Sequence, residues 1–126
     1  MIAGSSEYYQ GGVIAYSDRA KQELLDVRPD TLDSVGAVSA ETAGEMASGA
    51  RQALHADIGI ATTGIAGPGG ATARKPVGLI YVAVATPERE AVWELRLDGE
   101  RLANIEQTAR QALHLAIEQI SVQADT

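Results

Sequence analysis

Residues 61–86, ATTGIAGPGGATARKPVGLIYVAVAT, join a glycine- and proline-rich segment to a long apolar run. The run Gly78 to Thr86 (GLIYVAVAT) is apolar almost throughout, which predicts a central strand buried on both faces. The run Asp57 to Thr63 (DIGIATT) predicts a second short strand, so Gly64 to Pro76 forms the connection. Gly64, Gly67, Gly69 and Gly70 fall within seven residues of that connection. Such a segment serves either as a plain turn or as a ligand loop, and composition leaves both open. Glycine accepts positive φ and close backbone approach, and successive free N–H groups make an anion-binding concavity. Thr62 and Thr63 add hydroxyls where the preceding strand ends, and Arg74 and Lys75 follow closely enough to meet a phosphate.

Two familiar phosphate motifs fail here. A P-loop places its lysine directly after the last glycine, then Ser or Thr. In this chain Ala71 follows Gly70, and Lys75 precedes Pro76. The spacing Gly64-x-x-Gly67-x-Gly69 misses the dinucleotide fingerprint, and a strand follows instead of a helix.

Outward from this centre, Gly11 to Tyr16 (GGVIAY) predicts a short strand. Ser17 is an N-cap candidate, and Ala20 to Val27 carries a helical pattern that Pro29 and Asp30 close. Thr31 to Val38 is expected as a connection. Ser39 caps the next helix, whose stripe is Ala43, Met46, Ala47, Ala50 and Leu54. Ala91 to Leu97 alternates as a half-wet strand. Leu102, Ile105, Ala109, Leu113, Ala116 and Ile120 mark a long last helix. The expected order is β-α-α-β-β-β-α: an α/β fold in which helices pack on a mixed β-sheet, in one domain over residues 1–126.

Composition bounds the function. The 126 residues carry a net charge of −7, which argues against general nucleic-acid binding. There is no cysteine, so disulfides, thiolate nucleophiles and cysteine zinc sites are excluded. The start, MIAGSSEYYQGG, has neither the basic nor the apolar region of a signal peptide, and no run is long enough to span a bilayer. A cytoplasmic location is expected, with no membrane partner. His55 and His114 stand alone, without metal-ligand spacing. Trp93 is expected to pack, and the acidic residues to be solvated.

TGIAGPGG followed by KPVG and an apolar strand resembles the signature of the CinA C-terminal domain family. GSSEYYQGGVIAYSDRAKQELLDV, GAVSAETAGEMASGAR and DGER resemble other blocks of that family, in order, so the resemblance spans nearly the whole chain. It implies a three-layer α/β/α domain. Members with known activity are nicotinamide-nucleotide amidohydrolases (NMN deamidases) of the pyridine nucleotide cycle. They cleave the carboxamide of nicotinamide mononucleotide to nicotinic acid mononucleotide and ammonia by a Ser-Lys mechanism. The resemblance therefore implies a nucleotide ligand, no cofactor and no metal, and a homodimer or higher homo-oligomer.

Residue by residue, Lys21 matches the family's catalytic lysine, which must be partly neutral to act as base. Thr63 matches the threonine of TGIAGPGG and is expected at the reacting group. Tyr16, Ser17 and Asp18 match a family step that shapes the pocket. Gly64, Gly67, Gly69 and Gly70 are expected to cradle the substrate, and Arg101 to contact its phosphate. The second arginine that the family often carries is not found at Asn104, Ile105 or Glu106. The family's nucleophile lies in a Ser-Cys-Thr-Gly-Gly segment upstream of GSS. That segment is expected to be missing here, with the family's first helix and strand, and Ser5 and Ser6 do not replace it. This leaves three readings: an amidohydrolase of the family, with this chain expected to be inactive alone or a shortened form of an active protein; a non-catalytic nucleotide-binding module; or a shortened remnant that only dimerises.

Overall fold

A computed structural model describes residues 2–124. The sheet is built from β1 (Gly59–Gly64), β2 (Leu79–Ala85) and β3 (Glu90–Arg96). It is antiparallel throughout, in the order β1-β2-β3, with Thr63 opposite Tyr81 and Val82 opposite Trp93. β2 is the central strand, as its continuous apolar run predicts. Its residues alternate between two cores. Ala83 and Ala85 join Ala43, Met46 and Ala47 on one face, while Ile80 and Val82 join Ala112 and Leu115 on the other. Trp93 packs against the second of these clusters.

The first face is covered by α1 (Asp18–Leu25), α2 (Pro29–Ser34) and α3 (Ala40–Ala53). Ser17 and Ser39 cap α1 and α3: their hydroxyls accept from the amides of Ala20 and Thr42. α3 presses its expected stripe on the sheet, with Ala43, Met46 and Ala47 buried. It also crosses α1 at Gly49, where a Cβ would collide with the Leu25 carbonyl. The second face is covered by α4 (Arg101–Ala124). With helices on both sides of one sheet, the α/β architecture is the one expected.

Three local expectations are corrected. Gly11–Tyr16 forms no strand, so the sheet contains no parallel pair. The segment is extended, and Val13 and Ala15 rest on the first core. Ile14 and Tyr16 are 82% and 89% exposed, and a groove, with no hydrogen-bonded ladder, separates the segment from β1. Residues 31–38 are not all connection: Pro29 opens α2 instead of closing α1. Proline suits the first helical turn because its missing N–H would be unpaired there anyway. The α2 start is held from outside: Glu45 of α3 accepts from the Arg28 amide at 2.8 Å and from the Thr31 hydroxyl at 2.6 Å. Lastly, α4 buries Asn104, Thr108, Ala112, Leu115 and Ala116. Of the expected stripe, Leu102, Ile105, Leu113 and Ile120 are exposed. The buried face admits two polar residues because each makes its hydrogen bonds there.

Candidate functional site

β1 ends at Gly64, and two further bonds close the neck of the loop that follows. Ile65 donates to the Leu79 carbonyl at 2.9 Å, and Gly78 donates to the Ile65 carbonyl at 2.7 Å. Gly67 and Gly70 adopt φ of 93° and 92°, in the left-handed region that favours glycine. Gly67 is also packed on Val77, 2.6 Å from where a Cβ would stand. The Gly67–Pro68 peptide is cis. The loop is tied down on two sides. On one, Lys75 Nζ donates to the Val35 carbonyl at 2.6 Å. On the other, Arg101 Nη1 donates to the Gly67 carbonyl at 3.0 Å, and Asn104 Nδ2 donates to the Ala66 carbonyl at 3.0 Å. Among the described residues, no hydrogen bond uses the amides of Gly67, Gly69 or Gly70. On the α4 side the loop is thus held by its carbonyls; Gly67 is buried, while Gly69 and Gly70 are exposed with their amides unused, and unused exposed amides can take an anion.

Beside this loop, β1 alternates. Ala61 and Thr63 are buried, and Thr62 and Gly64 are exposed. Thr63 donates its hydroxyl proton to the Ala37 carbonyl at 2.8 Å. Ala37 belongs to the turn before α3, where three successive carbonyls are each engaged: Val35 by Lys75, Gly36 by Ser39 and Thr42, and Ala37 by Thr63. Lys21 lies one turn into α1 and is 6% exposed. Its ammonium donates to the Ala15 carbonyl at 3.0 Å, and no carboxylate pairs with it among the described residues. Burying a lysine without a counter-ion is costly, and among the described residues one carbonyl, that of Ala15, offsets it.

A groove of about 730 Å³ runs between residues 13–16, β1 and α4. It is within the usual range for small-molecule sites. Tyr16, Thr63, Gly64 and Arg101 line it, together with Thr62 and Ala66 and with aliphatic side chains of α4. Ala15, the partner of Lys21, also lines it, although Lys21 itself does not. Ser17 is occupied as the α1 cap, and Asp18 is exposed in the first turn. Gly67, Gly69 and Gly70 stand beyond the groove's edge, in the loop that Ala66 enters. A Cβ on Gly64 would collide with Ile80, so that glycine is needed for packing. Sequence reasoning missed the role of Asn104, which passes for an interruption of the apolar pattern of α4. A polar residue next to an apolar stripe and one turn after a glycine was the available signal. Glu45 was missed for the same reason: its partners lie on another helix. Of the two histidines, His55 follows α3 with a φ of 51°, and His114 pairs with Glu118 on α4. No group of His, Cys, Asp or Glu among the described residues is placed to hold a metal. No described helix is long and apolar enough to cross a membrane.

The family model of the CinA C-terminal domain matches residues 1–120. The chain belongs to that family. Its CinA relatives include a CinA-like protein of Amoebophilus asiaticus, 51% identical over 114 residues, which are 90% of this chain and 27% of the relative. Another CinA-like protein, from Acidobacterium capsulatum, is 45% identical over 90% of this chain and 28% of its own length. The chain thus spans little more than a quarter of these curated relatives. Among solved CinA proteins, the competence/damage inducible protein CihA from Agrobacterium tumefaciens superposes with a TM-score of 0.89 at 41% identity. The match covers 93% of this chain and 72% of that one. The competence damage-inducible protein A (ComA) from Klebsiella pneumoniae gives a TM-score of 0.91 at 32% identity, over 95% of this chain and 74% of that one.

Proposed function

We propose that this chain forms part of the nucleotide site of a nicotinamide-nucleotide amidohydrolase. In this reading nicotinamide mononucleotide lies in the groove between β1 and α4, with its phosphate toward the glycine loop and Arg101. The observation that carries it is the loop itself: carbonyls tied to Arg101 and Asn104, and the amides of Gly67, Gly69 and Gly70 unused. Arg101 spends one N–H on Gly67 and has four more for a phosphate.

Hydrolysis of the carboxamide in this class begins with a serine hydroxyl. Its proton passes to a neutral lysine as the oxygen attacks the amide carbon. The C–N bond then breaks as the lysine returns the proton to the leaving ammonia, and water releases the acid from the serine ester. Lys21 is our candidate for the base. It is buried, it has no carboxylate partner, and it is anchored to a residue of the groove wall. Thr63 gives its proton to Ala37, so only its oxygen lone pairs face a ligand, and it serves as an acceptor. Oligomerisation belongs to the same reading: exposed Ile117 and Ile120 on α4, outside the groove, offer apolar surface to a second copy.

A second reading, a nucleotide-binding module without catalysis, is favoured by one observation. Among the described residues the hydrogen-bond partner of Lys21 is a carbonyl, not a serine hydroxyl. Incubation with nicotinamide mononucleotide separates the two. Ammonia release that disappears in Lys21→Ala supports the amidohydrolase. Calorimetric binding without release leaves the module, and neither binding nor release rejects both.

A further inference from the structure

Asn104 is fully buried at the start of α4, on the face turned to the sheet. An aliphatic residue there would bury more apolar surface, and a buried amide is tolerated only with its hydrogen bonds made. Asn104 makes three. Its Nδ2 donates to the Ala66 carbonyl at 3.0 Å and to the Gly99 carbonyl at 2.8 Å, and its Oδ1 accepts from the Gly99 amide at 3.0 Å. One side chain therefore joins the glycine loop to the turn that opens α4. We propose that Asn104 is a positioning residue, which holds the glycine loop in its anion-binding shape while Arg101 turns to the ligand. The inference rests on the nucleotide reading of the groove.

The geometry of a planar trans peptide carries the argument. Its C=O and N–H point in opposite directions. Fixing the Ala66 carbonyl on Asn104 therefore aims the Gly67 N–H away from the Asn104 amide. Arg101 holds the next carbonyl, that of Gly67, but its own side chain is exposed and charged. An arriving anion competes with Gly67 for that guanidinium. If Arg101 were the only tether on the α4 side, ligand capture would free that side of the loop. Asn104 is sealed from solvent and uncharged, so its hold is indifferent to the ligand. The two residues thus divide the work: one stays on the loop and the other is free to leave it.

The test is a titration of the isotopically labelled 126-residue chain with nicotinamide mononucleotide, followed by NMR of the backbone amides. In the natural chain the amides of Gly67, Gly69 and Gly70 are expected to shift on addition of nucleotide. Absence of that shift removes the nucleotide reading and leaves the positioning claim to the ligand-free spectra. Asn104→Asp loses both donors and keeps the acceptor. Its loop signals should be displaced or broadened before any ligand is added, and its affinity reduced about fivefold or more, the effect of one lost hydrogen bond. Gly99→Ala sets a methyl 3.0 Å from Asn104 Oδ1 and pushes the same side chain from behind, so it carries the comparison if Asn104→Asp fails to fold. Loop signals that coincide with those of the natural chain in the folded variant, with stability alone reduced, would overturn the proposal.

Discussion

Thr63 and Ala37, from a strand and from the turn before a helix, are joined by a 2.8 Å hydrogen bond in which the threonine donates. It anchors β1 to the first helical layer just before the glycine loop begins. Thr63→Val keeps the shape, removes the donor and leaves the Ala37 carbonyl unpaired. The expected loss is about 1–2 kcal/mol of unfolding free energy, read as a lower denaturant midpoint, with Thr63→Ser recovering most of it. An unchanged midpoint in Thr63→Val would show that the bond contributes nothing.

Gly49 sets the distance between α1 and α3. A methyl at that position meets the Leu25 carbonyl, which belongs to helix backbone and cannot rotate aside. Ordinarily alanine improves a helix interior by up to about 1 kcal/mol. Here Gly49→Ala should destabilise instead, by about 1–3 kcal/mol. Thermal melting of the variant checks the sign.

Glu45 closes the start of α2 with two hydrogen bonds from another helix. Glu45→Ala should cost about 1–2 kcal/mol, since a charged acceptor is lost from a helix N-terminus. Amide exchange should speed up at Val35, whose N–H bonds to the Thr31 carbonyl within α2, and hardly at all in β2.

Tyr81 and Glu94 face each other across β2 and β3 and share a 2.9 Å hydrogen bond. Burial first, and then the bond to Glu94 and its charge, push the tyrosine above its ordinary 10.0. The bonds from Tyr81 and Arg96 hold Glu94 below its ordinary 4.5. The raised tyrosine supports the fold below its ordinary value, and that support is lost as pH rises through its folded value. The lowered glutamate supports the fold above its ordinary value, and loses that support as pH falls through its folded value. The pair is therefore intact across neutral pH. NMR titration should place Tyr81 above 10.0, with Glu94→Gln bringing it back toward that value. A midpoint that ignores the substitution would leave burial, with the charge of Glu41, as the cause.

The regular elements were legible because each has a local cause. Ser17 and Ser39 cap their helices, the stripe from Ala43 to Ala47 buries as spaced, and the β2 run is central. What was not legible depends on distant partners. GGVIAY has the composition of a strand, but a strand also needs a neighbour, and the sequence does not say that β1 leaves a groove there. Pro29 reads equally well as a stop or a start until Glu45 is seen above it. On α4, apolar spacing marked residues such as Leu102 and Leu113, and the helix turned Asn104 and Thr108 inward instead. The glycine loop and Arg101 could be located from sequence, but not that Arg101 and Asn104, 34 and 38 residues downstream, hold its carbonyls.

The sheet has a kinetic corollary. Both of its ladders join strands that follow one another directly, across residues 65–78 and 86–89. Neither ladder has to wait for distant chain, and short loop closures are the fast ones. The meander from Gly59 to Arg96 can therefore zip up early, and the longer closure is the one that brings Val13, Ala15 and α1 onto the core with Ala83 and Ala85.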